Sequence, residues 1–218
     1  IKTPLNAIIG FAEIIDGQYL GPAHRNYRER AAVIVDQARQ LLDAVEDLDF
    51  AAKLRAERAR GNAAGAQGGS ALAQVFPPIV AEVEACLAAN GALLEVDVDE
   101  ERHRCALSPE LVQRLLRRLL LSLCSLVAAD EIFRIAVTRR GAMCLLTIAR
   151  PHALAGVSES KLVDPSFNPT LFAPAGKDDE HGVGLGFALR LVRGLAKVAG
   201  GRLAIDEHRI TLELPAAE

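Results

Sequence analysis

Ile1-Lys2-Thr3-Pro4-Leu5-Asn6-Ala7-Ile8-Ile9-Gly10-Phe11 opens the chain. Leu5, Ile8, Ile9, Ala12 and Ile15 recur at helical spacing, which predicts one apolar stripe along a first helix. Gly17, Gly21 and Pro22 end that helix. On the residues alone, Thr3 and Pro4 read in two ways. They are the cap and first position of a helix, or Pro4 lies inside a helix, removes one backbone hydrogen bond and bends the axis. A second helix is expected from about Asn26 to Arg60. Its apolar positions Ile34, Ala38, Leu41, Val45 and Leu48 step by 4-3-4-3, the spacing of a coiled-coil seam. Two helices cannot bury such stripes alone. The hairpin is therefore expected to pair with a second copy in a dimeric four-helix bundle; the alternative is docking on the rest of its own chain.

Working outward, residues 61–70 read Gly-Asn-Ala-Ala-Gly-Ala-Gln-Gly-Gly-Ser, a flexible linker by composition. This divides the chain into a helical segment, 1–60, and a second domain, 71–218, in which helices and strands alternate. A helix is expected from about Leu72 to Asn90, then a strand from Leu93 to Val98. Ser108-Pro109-Glu110 supplies a cap, a first-position proline and a first-turn acid for a helix reaching about Ala128. Strands near Ile132–Val137 and Met143–Ile148 flank a tight turn at Arg140-Gly141. A stretch of weak order is expected from Pro151 to His181, then a helix from Leu185 to Val198 and a hairpin of Arg202–Ile205 with Ile210–Leu214. Helices on one face of a mixed sheet make an α+β sandwich.

At 218 residues, half of them hydrophobic and 24% charged, the chain has the composition of a globular protein with a real core. A net charge of -3 gives no reason to expect nucleic acid as a partner. No uninterrupted apolar run reaches about 18 residues, so no membrane segment is expected. Cys86, Cys105, Cys124 and Cys144 are scattered, with no CxxC pair, which fits reduced, mostly buried thiols in a cytoplasmic protein. His24, His103, His152, His181 and His208 have no ligand-spaced partners.

The opening run resembles the H-box of sensor histidine kinases, His-Glu-x-x-Thr-Pro-Leu-Asn-x-Ile-x-Gly-Phe. Leu41-Leu42-Asp43-Ala44-Val45-Glu46-Asp47-Leu48 resembles the end of the second helix of the alphaproteobacterial type. The second domain is similar in element order to the GHKL-type ATP-binding domain of these kinases. Within it, Gly182-Val183-Gly184-Leu185-Gly186 resembles the second glycine box, where backbone amides and a helix N-terminus face a polyphosphate. A free-standing GHKL ATPase would not need the hairpin. The resemblance implies a homodimer, a response-regulator receiver domain as partner, and an acceptor histidine upstream of Ile1. It implies that Thr3 orients water for dephosphorylation and that Pro4 bends the helix. ATP and Mg2+ are the implied cofactors, with Gly182, Gly184, Leu185 and Gly186 at the phosphates.

The other nucleotide motifs depart from the family. Its N-box carries Asn-x-x-x-Asn, one asparagine being a magnesium ligand; aligned on the leucines, these positions hold Arg118 and Ser122. Ser122 is a weak Mg2+ candidate through its hydroxyl, while Arg118 cannot ligate a cation but can touch a phosphate. The aspartate that fixes the adenine falls at or next to Arg150, a donor where an acceptor is needed. Nothing in the spacing supports Asp164, Asp178 or Asp179 as a substitute; Phe167 and Phe172 are the lid candidates. Two functions stay open: an ATP-using kinase with unusual contacts, or a pseudo-kinase that serves as a phosphotransfer, phosphatase or scaffold platform for a response regulator.

Overall fold

The computed structural model describes residues 2–60, 70–98, 104–169 and 184–217. The linker expected at 61–70 falls almost wholly outside them, as do Gly182, His103, His181, Phe172, Asp178 and Asp179.

Two helices, α1 (Lys2–Asp16) and α2 (Arg25–Ala59), pack antiparallel as a hairpin. Gly17 donates its amide to the Glu13 carbonyl, and Gly21, at φ 131°, turns the chain in a conformation that glycine tolerates. Arg28 covers the end of α1 by donating from Nε to the Asp16 carbonyl at 2.9 Å. Tyr19 and Tyr27 stand exposed at this turn, with the His24 ring edge-on to Tyr27. Thr3 and Pro4 lie exposed on α1.

The expected single stripe on α1 divides in two. Leu5 and Ala12 are buried, and Ile9 joins Ala12, Ala31 and Val35 in a small core between the helices. Ile8 and Ile15 face outward instead, together with Phe11. The reason is helical drift: positions three and four apart spread over an arc wider than one neighbouring helix covers. On α2 the seam divides likewise. Ala38 is buried, whereas Ile34, Leu41 and Leu48, spaced by seven, are each about half exposed.

The second domain is a five-stranded sheet with three helices against it. Strand order is β2-β4-β5-β7-β6, from β2 (Leu93–Asp97), β4 (Ile132–Arg140), β5 (Met143–Ala149), β6 (Arg202–Ile205) and β7 (Arg209–Pro215). Only the β2–β4 pair is parallel. A short antiparallel pair, β1 (Ser70–Ala71) with β3 (Arg104–Cys105), was not anticipated from sequence. Helix α3 (Leu72–Asn90) has the expected bounds, ended by Gly91 in the left-handed region. By length and composition α3 is apolar enough to cross a membrane. In the fold Leu72, Val75, Phe76, Ile79, Val83 and Leu87 are buried in the core.

Helix α4 (Pro109–Cys124) starts as its sequence predicts, Ser108 Oγ accepting from the Leu111 amide. It ends at Cys124 rather than near Ala128, because residues past Ser125 turn to meet β4: Asp130 donates to the Gly91 carbonyl and Glu131 to that of Ala128. Leu115, Leu119, Leu120 and Leu123 are wholly buried on its inner face, each stabilising the fold by about 1.5–3 kcal/mol. The part of the expected weak-order stretch that is described has definite structure. It holds a 3-10 turn, His152–Leu154, and a short helix α5 (Glu159–Leu162), and it buries Leu154, Leu162 and Phe167. Helix α6 (Leu185–Val198) completes the layer.

Three of the four cysteines are buried and Cys86 is partly so; all four are free thiols. Cys86 and Cys124 face each other between α3 and α4, and burial pushes the Cys124 thiol up. Cys105 and Cys144 form a second pair, in which the hydrogen bond from Cys105 draws the Cys144 thiol down to about 7 against the effect of burial.

Candidate functional site

The C-terminal half of α2 runs onto the second domain. Ala51 and Leu54 belong to its core, Phe50 packs against it, and α2 contacts α6. Between α2, α4 and the start of α6 lies an open cleft of about 750 Å³. Of the predicted nucleotide residues, Arg118, Ser122 and Leu185 line it, whereas Gly184, Gly186, Arg150 and Phe167 do not.

Arg118 and Arg114 stand one turn apart on the same face of α4 and both reach Asp47 of α2. Arg114 donates from Nη1 to Asp47 Oδ1 at 3.0 Å, and Arg118 donates from Nε to Oδ2. Asp47 is 5% exposed, the buried charged residue among those described. Burial alone would pull the Arg114 guanidinium down; Asp47 and then Glu110 outweigh it and hold its pKa above the ordinary arginine value. The Arg114 guanidinium also lies over the Phe50 ring at 5.1 Å. Ser122 donates its hydroxyl to the Arg118 carbonyl at 2.6 Å, a bond within its own helix.

At the opposite end of the cleft Gly184 and Gly186 open α6, as the glycine motif predicts, but their open sides meet their own chain. The Gly186 amide donates to the Phe167 carbonyl at 2.9 Å, and a Cβ on Gly186 would overlap the Asp164 carbonyl oxygen. Gly184 backs on the Phe167 carbonyl in the same way. Asp164, exposed, is held below the usual carboxylate range by the Ser166 hydroxyl and amide, so its carboxyl is engaged within its own turn.

Arg150, beyond the end of β5, folds back on the loop that follows. It donates to the carbonyls of Asp206, at 2.9 Å, Leu154 and Val157. Its Nε is buried without a hydrogen bond among the described residues. The guanidinium thus ties its own loop to the turn between β6 and β7, at or next to the position where the resemblance implies an adenine acceptor.

Arg118 does not fit the role of a magnesium ligand, because a guanidinium supplies no lone pair to a cation. The Ser122 hydroxyl donates within its own helix and keeps only its oxygen lone pairs for a single weak contact. Among the described residues no group of three or more His, Cys, Asp or Glu is placed to hold a metal ion. Sequence reading missed Asp47 and Arg114 as site residues. The available signal was the i, i+4 spacing of Arg114 and Arg118 on an otherwise leucine-rich helix, with an aspartate at a core-facing position of α2.

Residues 1–57 match the family model of the His Kinase A (phospho-acceptor) domain. The hairpin thus matches a phospho-acceptor domain, and the chain as a whole is similar to sensor histidine kinase cores. It is 29% identical over 217 residues to the histidine protein kinase DivJ of Caulobacter vibrioides, a match that takes in 95% of this chain and 33% of that protein. In fold the chain is similar to full-length ShkA, solved in complex with AMPPNP, at a TM-score of 0.66 and 14% identity, covering 99% of this chain and 44% of the ShkA chain. It is also similar to the histidine kinase AdeS of Acinetobacter baumannii, at a TM-score of 0.57 and 16% identity, covering 99% of this chain and 95% of the AdeS chain. The chain spans about a third of the length of the curated relative that it matches.

Proposed function

We propose that this core is a cytoplasmic homodimer that serves a response regulator as a phosphotransfer and phosphatase platform, and that its kinase-fold domain does not use ATP. One observation carries the reading: Arg118, at one of the two N-box positions, is bound to Asp47. The engagement of Arg150 with three carbonyls supports it at the adenine end.

In this reading the phosphoryl group passes between a histidine upstream of Ile1 and an aspartate of the receiver domain. Thr3, exposed on the first turn of α1, orients the water that hydrolyses the receiver's acyl phosphate. The water oxygen bonds to phosphorus as the bond to the aspartyl oxygen breaks, releasing inorganic phosphate. The exposed faces of α1 and α2, with Ile8, Phe11, Ile34, Leu41 and Leu48, support the dimer.

A second reading, an ATP-using kinase, is favoured by Gly184-Leu185-Gly186 at the start of α6. Calorimetric titration with ATP and ADP, with and without magnesium, separates the two. No binding at millimolar nucleotide is expected; micromolar, magnesium-dependent binding would return the chain to the kinase reading.

A further inference from the structure

The ion pairs of Asp47 join the two domains. Asp47 belongs to the hairpin, and Arg114 and Arg118 belong to the sandwich, 67 and 71 residues further along. We infer that Asp47 with Arg114 and Arg118 is an interdomain latch, a switchable joint that fixes the sandwich against the hairpin.

Several observations converge on it. The carboxylate is satisfied on both oxygens by two guanidinium groups that approach from one face of α4, so it acts as a bridge. It lies one turn from the buried Ala51 and is itself 5% exposed, so an unpaired charge there would be costly. Its level along the hairpin is set as well: Lys2 pairs with Glu46 and Asp49, on either side of Asp47, so the joint lies level with the first turn of α1.

The cleft itself argues against reading these arginines as a site for a free anion. Its lining carries Asp43, Glu46, Asp47 and Glu110 against Arg114, Arg117 and Arg118, and Arg117 is already paired with Glu82 at 2.8 Å. The local charge is balanced toward acid, which repels a phosphate and favours an internal counter-ion.

Closed, the latch holds α4 against α2; open, it leaves two arginines and one aspartate to find water, which they do readily only if the domains separate. The joint rests on the geometry of α2 and α4, so either outcome of the nucleotide titration leaves it standing.

The test measures interdomain distances in the full chain by pulsed dipolar spectroscopy, between spin labels on unnatural residues at Gln18 and Arg140, with labelled chains diluted into an excess of unlabelled chain so that each dimer carries one labelled pair. Asp47→Asn and Arg118→Gln are each expected to broaden the distribution at least twofold, and the double variant to broaden it no further than either alone. Asp47→Glu, which keeps the carboxylate, is expected to stay near the parent width. Far-ultraviolet circular dichroism identifies any variant that has lost its fold. An unchanged distribution in folded Asp47→Asn, or single effects that simply add in the double variant, would overturn the latch.

Discussion

Arg150 exchanges the acceptor that the nucleotide fold uses at the end of β5 for a donor, and the donor has found carbonyls. Removing it leaves the oxygens of Leu154, Val157 and Asp206 short of a partner. Arg150→Met is expected to lower unfolding stability by about 1–3 kcal/mol in urea titration, the cost of unsatisfied buried acceptors. It is not expected to create nucleotide binding, since a thioether is only a weak acceptor and does not replace a carboxylate. Two glycines of α6 behave oppositely. Gly186→Ala drives a methyl into the Asp164 carbonyl and is expected to cost about 1–3 kcal/mol. Gly194 has nothing within 4 Å of where its Cβ would be, so Gly194→Ala is expected to stabilise by about 0.5–1 kcal/mol through helix propensity. The same denaturation series reads both, and equal effects would show that the room at Gly186 is not structural.

Among the elements, α2 carries two jobs on different faces. Ala31 and Val35 meet α1, while Ile34, Leu41 and Leu48 face outward at heptad spacing. A second hairpin is the natural cover for that outward row. Leu41→Glu places a charge in its middle and is expected to halve the mass seen by light scattering at micromolar concentration. A monomeric parent, or an unaltered dimer in the variant, would put the interface elsewhere. The elements themselves were largely legible. The bounds of α3 and α6 follow from local signals, Gly91 after one and a glycine start before the other. The order around Leu154, Leu162 and Phe167 was not, because three buried apolar residues separated by turns carry no period to read.

At the scale of the whole molecule, the fold was legible from the order of helices and strands together with the motif at each end. The candidate site was legible only as a set of departures from a pattern. Arg118, Ser122 and Arg150 stood out because they break the motif, but their partners lie far off in sequence: Asp47 is 71 residues from Arg118, and Asp206 is 56 from Arg150. No local periodicity encodes a pair at that separation, and the choice of partner is made by tertiary packing. The pair β1–β3 escaped for the same reason, each strand being two residues long.

The turn of the hairpin has an optical consequence. The protein has no tryptophan and two tyrosines, Tyr19 and Tyr27, and both sit in water at that tip. Intrinsic emission therefore arises from one extremity, about 20 Å along α1 from its first turn. Fluorescence watches the tip and is nearly blind to melting of the sheet, so a label-free reporter of whatever lands on that extremity is already in place.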